Sequence, residues 1–425
     1  MTSSTPDNPL IPTNATVIIG AGVIGLACAH YLNLEGHKCI VLDSATIGSG
    51  CSQGNCGHII PSHILPLNSP DALKTGFLSL FNKNSPFKVK PQFSLSFMTW
   101  MFQFARHSTK AKILENASYL HPILDLAFSE YEKLINDEIF SCDWQKSGLI
   151  YAFKNQSALD NFYNTDKFLQ EHFNLSATPL NRDEIQEHDA AFKKGLAGGY
   201  LYENDALLRP ELLLSNWTQY LKRQGIQFIE NCEVLGMENK NTKVKKLKTS
   251  QGLFDVGQIV IASGAFSGVL AKKLNCTIPV IPGKGYSLTI PKPKVTPGTS
   301  IVLPEKNVAI TPFKNSLRIG SIMELVGFDT ALPKHRINQL RASIDDYLLS
   351  DVENVEGEEW FGWRPMTHDS LPIIVRLPNM ENAFIATGHG MMGGMLAPAT
   401  GRLIAEIIVE KPSRISNSPY SPARF

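Results

Sequence analysis

The amino-acid sequence predicts an α/β protein with two domains, the second of α+β type. Three patterns predict this: a strand, glycine turn, helix and strand at residues 17–43, a strand, glycine-rich loop and helix at 383–410, and short apolar strands at 284–325. The first two are typical of a parallel sheet covered by helices, and the third of an antiparallel sheet. A chain of 425 residues is long enough to form both.

Composition excludes several functional classes. Hydrophobic residues at 43% and charged residues at 19% are typical of a globular protein. The net charge is +1 with both signs interspersed, so no nucleic-acid-binding face is indicated. The seven cysteines form no CxxC pair, which favours reduced thiols in a cytoplasmic protein and predicts neither disulfides nor a metal site. No apolar run reaches the roughly 18 residues of a membrane span.

The first element is the stretch VIIGAGVIGLACAHYLNLEGHKCIVLD at residues 17–43. Gly20 makes the tight turn of its GxGxxG motif, Gly22 admits a pyrophosphate, and Gly25 lets the helix pack on the strand. The helix N-terminus offers N–H groups to phosphate, and Asp43 can accept hydrogen bonds from an adenosine ribose. The unit predicts a Rossmann-type dinucleotide site, for which flavin and nicotinamide both remain open.

The longest apolar stretch, FSLSFMTWMFQFAR at residues 93–106, predicts an amphipathic helix. The residues expected to form its apolar face are Phe93, Phe97, Trp100 or Met101 and Phe104, widened by Leu95, Met98 and Phe102. Burial against the rest of the protein is favoured, and a helix on a membrane surface is the alternative.

The C-terminal pattern distinguishes between the two cofactors. Residues 383–386 predict a strand, 388–394 a glycine-rich loop, and the following residues a closing helix. Reduced flavin carries negative charge at its pyrimidine end, which N–H groups at a helix N-terminus stabilise. A nicotinamide cofactor makes no such demand, so the loop favours flavin. Glycines that serve only to turn the chain remain the alternative.

With these segments in place, the chain resembles the glutathione-reductase-type FAD amino-acid oxidoreductases from about residue 16 to 410. It is most similar to the bacterial D-amino-acid dehydrogenases, including the D-hydroxyproline dehydrogenases. The resemblance depends on four segments, GSGCSQGNCGHIIPSH, KGYSLTI, WFGWRPMTHDSLPII and TGHGMMGGMLAPATGRL. It implies a Rossmann FAD domain and a substrate domain built on an antiparallel sheet.

The resemblance also implies which residues bind FAD. They are Gly20, Gly22, Val23, Ile24, Gly25, Asp43, Ser44, Ser52, Asn55, Cys56, Gly57, His58, Val234, Ser263, Gly264, Gly388, Gly390, Met391, Met392 and Gly393. Cys56 or His58 could attach the flavin covalently, although non-covalent binding is favoured. The polar loop around Asn55 has a surface turn as its alternative.

Three residues are candidate catalytic residues. Arg364, in GWRPM, would hold the substrate carboxylate through two parallel hydrogen bonds, and a surface ion pair with Glu358, Glu359 or Asp369 is the alternative. Tyr286 would orient the substrate or belong to the core. His389 would set substrate protonation or hydrogen-bond within its loop.

Where glycine oxidases have a second arginine, this chain has GHGMMGGM. The methionines predict an apolar, adaptable wall that suits a proline ring or an aliphatic side chain.

The implied reaction oxidises a D-amino acid, with D-proline and cis-4-hydroxy-D-proline among the candidates. Hydride passes from the substrate Cα to flavin N5 and leaves an imino acid. Electrons then pass to a quinone or a carrier, and residues 93–106 could contact the inner face of the membrane. Two alternatives remain: an oxidase of secondary amines, glycine or sarcosine that uses oxygen, and a flavin-bearing subunit without catalytic activity.

The expected FAD domain is discontinuous, and the substrate domain fills the gaps. We predict the FAD domain at residues 15–60, 196–276 and 356–411, and the substrate domain at 61–195 and 277–355. Residues 1–14 and 412–425 are predicted to be loose tails.

Overall fold

A computed structural model describes residues 15–79, 85–92 and 94–425. Residues 1–14, predicted to be a loose tail, and Phe93, predicted to line a helix face, lie outside the described residues.

The described elements are numbered in chain order. The strands are β1 (Thr16–Ile19), β2 (Cys39–Leu42), β3 (His58–Ile59), β4 (Phe87–Val89), β5 (Leu149–Phe153), β6 (Thr178–Leu180), β7 (Gly198–Tyr202), β8 (Ala206–Leu207), β9 (Gln227–Ile229), β10 (Val234–Lys240), β11 (Lys243–Thr249), β12 (Gly252–Asp255), β13 (Gln258–Ile261), β14 (Ile281–Pro291), β15 (Ser300–Leu303), β16 (Val308–Pro312), β17 (Ser316–Leu325), β18 (Glu358–Met366), β19 (Ile373–Arg376) and β20 (Ala383–Thr387). The α-helices are α1 (Val23–Leu34), α2 (Pro70–Leu78), α3 (Leu95–His107), α4 (Lys110–Asn136), α5 (Gln156–Phe173), α6 (Arg182–His188), α7 (Pro210–Arg223), α8 (Ser267–Lys272), α9 (Lys334–Ile344) and α10 (Gly393–Ile408).

The first sheet has the order β19-β20-β13-β1-β2-β9 and is parallel except where β19 meets β20. Strands β1, β2 and β20 are buried along their whole length because helices or the β10-β11-β12 meander cover each face. Helices α1 and α10 pack so closely that a Cβ on Gly401 would lie 2.5 Å from the Ala27 backbone. Two helices from opposite ends of the sequence are therefore neighbours.

The second sheet is mostly antiparallel and follows the order β18-β14-β17-β16-β15-β5-β7-β6, with β4 paired to β17. Its centre consists of β14 to β17, where the sequence predicted short apolar strands. Helix α9 packs on one face through Ile337, Leu340 and Ile344. The predicted α/β class with an antiparallel second domain is confirmed.

All six strands of the first sheet come from the three segments that we assigned to the FAD domain. Strands β7 and β18 also come from these segments, but they hydrogen-bond within the second sheet. The domain limits therefore stay a prediction.

Residues 412–425, which we expected to be a loose tail, are packed against the protein. The Tyr420 side chain is buried, and its hydroxyl donates to the Tyr119 carbonyl oxygen at 2.7 Å. Arg424 forms an ion pair with buried Asp369 at 2.6 Å. The polar composition of this segment gave no indication of these two contacts.

Helix α3 has one buried apolar face and one exposed apolar face. Phe97, Trp100 and Phe104 are buried as predicted. Leu95, Met98 and Phe102, expected to widen the buried face, are instead 82%, 61% and 62% exposed. Within the described ranges, no helix has the length and apolarity needed to span a membrane.

Candidate active site

A cavity of about 1310 Å³ is lined by residues from both large sheets. Most of the predicted cofactor residues line it, namely Gly20, Gly22, Val23, Ile24, Asp43, Ser44, Ser52, Asn55, Cys56, His58, Val234, Ser263, Gly264, Gly390, Met391, Met392 and Gly393. Gly25, Gly57 and Gly388 are not among the lining residues. Gly25 lies in the first turn of α1, and Gly57 and Gly388 lie in loops.

The N-termini of α1 and α10 both border this cavity. Gly22 and Met392 are their N-cap residues, and neither end is capped by an N-cap side chain. The backbone N–H of Val23 donates to Ser52 Oγ at 3.1 Å. Each helix N-terminus carries a partial positive charge that favours an anionic group. The packing of α1 on α10 thus places two helix N-termini, each with a partial positive charge, beside the cavity.

The glycine turn is held against the end of β2. Gly20 has a φ of +114°, and a Cβ there would lie 2.5 Å from the Ala262 carbonyl oxygen, so only glycine fits without strain. Asp43 Oδ2 accepts a hydrogen bond from the Ala21 N–H at 2.7 Å. Each carboxylate oxygen has a second lone pair, which leaves Asp43 able to accept from a ribose hydroxyl. Burial raises the pKa of Asp43.

The loop of residues 52–58 is positioned by an arginine that sequence reasoning missed. Buried Arg318 donates through Nη1 to the carbonyl oxygens of Gln53 at 3.1 Å and Asn55 at 2.7 Å, and it forms an ion pair with Glu211. Asn55 in turn donates to the Met391 carbonyl oxygen at 3.4 Å. Arg318 therefore fixes the loop that faces the start of α10.

Arg364 presents its guanidinium to the cavity. It lies over Gly285 of the neighbouring strand, where a Cβ would come 2.4 Å from Cζ. Among the described residues, its guanidinium donates through Nη1 to the Ile322 carbonyl oxygen at 3.4 Å. Burial lowers its pKa, although a guanidinium remains charged in proteins.

The alternative ion pair of Arg364 is not formed by the residues that the structure describes. Glu358 and Glu359 are exposed, and Asp369 pairs with Arg424 instead. Most of the hydrogen-bonding capacity of Arg364 thus remains available for an anionic ligand.

The Tyr286 side chain, for which we predicted either an orienting role or a place in the core, points away from Arg364. Alternation along β14 places Gly285 on the Arg364 face and Tyr286 on the opposite face. The Tyr286 hydroxyl donates to Glu324, which also pairs with Arg336 at 2.6 Å. Burial raises the pKa of Tyr286, and the hydrogen bond to Glu324 raises it further. Tyr286 borders the cavity, but its hydroxyl is hydrogen-bonded to Glu324 in the core.

His389 lies within the predicted loop and supports it. Its Nε2 is 2.9 Å from Thr400 Oγ1, and burial lowers its pKa to about 3, so the ring is neutral near pH 7. The following Gly390 N–H donates to the Pro365 carbonyl oxygen at 2.9 Å, which joins the loop to the residue after Arg364. This geometry favours loop support over proton transfer.

The surroundings of Arg364 are apolar and contain two neutral thiols. Met323 pairs with Gly285 beneath the guanidinium, and Met391 also lines the cavity. Burial raises the pKa of Cys51 and Cys56, and the charge of Arg364 opposes this shift in both. The predicted methionine wall is thus accompanied by thiols that stay protonated.

A family model for FAD dependent oxidoreductases (DAO) matches residues 15–407. The chain belongs to this family of FAD-dependent oxidoreductases. The D-amino acid dehydrogenase of Vibrio atlanticus is 30% identical over 415 residues, which cover 96% of this oxidoreductase and 99% of that protein. The predicted kinship with FAD-dependent amino-acid dehydrogenases, and FAD as the cofactor, are confirmed.

Solved structures share the fold of the oxidoreductase. Glycine oxidase from Geobacillus kaustophilus has a TM-score of 0.75 at 22% identity, with 96% of this chain and 98% of that chain covered. L-proline dehydrogenase from P. horikoshii has a TM-score of 0.74 at 18% identity, with 98% of both chains covered. These likenesses establish the fold and leave substrate choice open.

The residues of the oxidoreductase fit FAD. The N-terminus of α1 suits the pyrophosphate, and that of α10 suits the electron-rich pyrimidine end. Asp43, expected at the ribose, and Val234 and Ser263, expected at the adenosine, all line the same cavity.

Proposed function

We propose that the oxidoreductase dehydrogenates D-amino acids at the Cα–N bond. The observation that carries this proposal is Arg364, a buried guanidinium without a carboxylate partner among the described residues, in the cavity that the two helix N-termini border. The name of the Vibrio atlanticus relative supports the D-amino acid class. A bidentate Arg364–carboxylate pair would fix the orientation of the substrate as well as its charge.

The chain contributes positioning rather than acid–base chemistry. FAD, when bound, supplies the acceptor for the hydride that leaves the substrate Cα. Arg364 holds the carboxylate, and the methionines that line the cavity exclude water from the substrate. Neutral His389 holds the glycine loop through Thr400. The roles of these residues form part of the proposal.

We extend the proposal to cyclic substrates such as D-proline and cis-4-hydroxy-D-proline. The cavity is lined by the flexible apolar side chains of Met323, Met391 and Met392. Such side chains suit a substrate with a compact ring better than a substrate with a charged side chain.

An anaerobic titration tests the proposed activity. Purified holoenzyme is mixed with D- and L-amino acids, D-proline and cis-4-hydroxy-D-proline, and the flavin absorbance is followed. We expect D-amino acids to bleach the flavin and the L-enantiomers to leave it oxidised. Bleaching by sarcosine or glycine, with hydrogen peroxide formed in air in step with substrate, would instead support the oxidase alternative. A flavin that no amino acid bleaches would contradict both.

We also propose peripheral membrane contact through the exposed face of α3. Leu95, Met98 and Phe102 recur at helical spacing, and Arg106 lies over the Phe102 ring at 5.9 Å. An apolar stripe flanked by cationic side chains is typical of helices that lie in a lipid interface.

A further inference from the structure

Helix α10 contains a proline shortly after its start. The helix begins at Gly393, and Pro398 lies inside it. In an α-helix each N–H donates to the carbonyl oxygen four residues earlier, so residue 398 would ordinarily donate to Gly394. Proline has no N–H, and its ring also presses against that carbonyl. The Gly394 carbonyl oxygen therefore lacks its usual donor within the helix.

A tyrosine of α4 supplies a donor in its place. The Tyr131 hydroxyl donates to the Gly394 carbonyl oxygen at 2.5 Å. Tyr131 is fully buried, and its ring stacks on Trp144 with the two ring centroids 5.8 Å apart. Burial raises the pKa of Tyr131, so the hydroxyl stays protonated and able to donate. The bond from Tyr131 thus replaces the one that Pro398 removes.

This bond lies in the part of α10 that borders the cavity. Residues 392–395, which are the N-cap and the start of the first turn, all line it. The first N–H groups of a helix have no carbonyl partner within the helix and carry its partial positive charge. The first helical bond, from the Leu396 N–H to the Met392 carbonyl oxygen, is 2.8 Å long. Because Pro398 removes a bond soon after it, the position of this turn depends on contacts from outside the helix.

The rest of α10 is held against α4 by a separate contact. Arg402 donates to Glu130, the residue before Tyr131, at 2.7 Å, and both charged groups are largely buried. Arg402 lies eight residues beyond Gly394, which is about 12 Å further along the helix. Loss of the Tyr131 hydroxyl would therefore act mainly on the first turn of α10, while the ion pair keeps the two helices packed.

We propose that Tyr131 is a positioning residue whose hydroxyl holds the first turn of α10 with its free N–H groups directed at the pyrimidine end of FAD. Reduced flavin carries negative charge at that end and oxidised flavin does not, so these N–H groups stabilise the reduced form more. Tyr131 thereby raises the midpoint potential of bound FAD through the helix. This inference shares with the proposed function only the place of the flavin at α10, and it holds for any amino-acid substrate.

The test measures the midpoint potential of FAD in the holoenzyme, with no amino acid present. Tyr131→Phe removes the hydroxyl and keeps the ring on Trp144. The holoenzyme is equilibrated anaerobically with a dye of known potential, and the absorbances of dye and flavin are compared. We expect the preference of the protein for reduced over oxidised FAD to fall about tenfold, which lowers the potential of this two-electron couple by about 30 mV.

Pro398→Ala provides a rescue, because it restores an N–H at residue 398. In the double variant with Tyr131→Phe, this N–H can donate to the Gly394 carbonyl oxygen, and we expect at least half of the shift in potential to be reversed. Pro398→Ala alone should stay near the wild-type potential, since a carbonyl oxygen can accept two hydrogen bonds. If Tyr131→Phe loses FAD during purification, the rescue is measured as the return of bound FAD in the double variant.

Tyr420→Phe is the matched control for Tyr131→Phe. Tyr420 is also buried, and its hydroxyl also donates to a backbone carbonyl oxygen, that of Tyr119 in α4, at 2.7 Å. Tyr420 is not among the cavity-lining residues. We expect Tyr420→Phe to lower the urea midpoint of unfolding about as much as Tyr131→Phe does and to leave the midpoint potential of FAD unchanged.

Three results would overturn the positioning role of Tyr131. They are a wild-type potential in Tyr131→Phe, an equal shift in Tyr420→Phe, and a double variant in which Pro398→Ala reverses neither the shift nor the loss of FAD. Failure of the proposed function is distinguishable, because a wild-type flavin that no amino acid bleaches would still give a measurable potential in every variant that holds FAD.

Discussion

At the scale of single residues, Arg364 has the strongest link to the chemistry. We predict that Arg364→Ala raises the Michaelis constant for D-amino acids by about 100-fold or more, because two charge-assisted hydrogen bonds are lost. FAD should stay bound, since Arg364 takes no part in either helix N-terminus. Steady-state kinetics and the flavin spectrum check both expectations, and an unchanged Michaelis constant would remove Arg364 from the substrate site.

Two control variants accompany Arg364→Ala. Arg376→Ala removes a half-buried arginine that pairs with Glu410 at 3.1 Å, and it should leave the Michaelis constant unchanged. Tyr286→Phe removes a hydroxyl that donates to buried Glu324 on the opposite face of the sheet. It should lower the free energy of unfolding by about 1–3 kcal/mol without a comparable change in the Michaelis constant.

At the scale of elements, α3 packs against the protein through one face and exposes a second apolar face. Its buried face is anchored by Trp100, whose Nε1 donates to the Pro279 carbonyl oxygen at 3.1 Å. The exposed face can therefore be changed without loss of the fold. We predict that the triple change of Leu95, Met98 and Phe102 to serine reduces co-sedimentation with anionic vesicles by about tenfold, because the apolar contact is lost.

Exposed leucines elsewhere provide the comparison for α3. Leu34, Leu235 and Leu349 are 59%, 44% and 53% exposed and lie apart from this helix in the sequence. Their combined replacement by serine should leave vesicle binding intact. Equal losses in the two triple variants would contradict a specific role for α3.

The elements also show what the sequence could predict and what it could not. Both glycine loops were predictable because strand, turn and helix are local patterns. The face to which Tyr286 points was not, because β14 is buried on both faces and period two alone does not choose between them. Arg318 had no local signal, since its partner Gln53 lies 265 residues away.

At the scale of the whole molecule, the fold joins distant segments around one cavity. Helix α1 begins at Val23 and helix α10 at Gly393, yet their packing brings both N-termini to the same site. Strand β18 then carries Arg364 to that site from the second sheet. Because no single segment contains the site, cofactor binding and stability should depend on the intact arrangement of both sheets.

This arrangement buries several histidines in neutral form. The pKa is about 4 for His30, His58 and His368 and about 3 for His389, against an ordinary value of 6.5. Burial is the first cause in each case. The unfolded chain therefore binds more protons than the folded chain between about pH 4 and 6.5, so the stabilisation is present above pH 6.5 and is lost on acidification.

We predict that the free energy of unfolding falls as the pH is lowered from 7 to 5, by roughly 2 kcal/mol for each such histidine. His30→Phe keeps an aromatic ring beside Tyr31 and Trp217 and should reduce the fall. Buried Asp205 acts in the opposite direction, because its pKa is raised to about 7 and its protonation stabilises the fold as the pH falls. Asp205→Asn should therefore steepen the fall. Urea unfolding at pH 5, 6 and 7 checks both slopes, and a His30→Phe variant whose stability falls as steeply as that of the wild type would contradict the neutral state of His30.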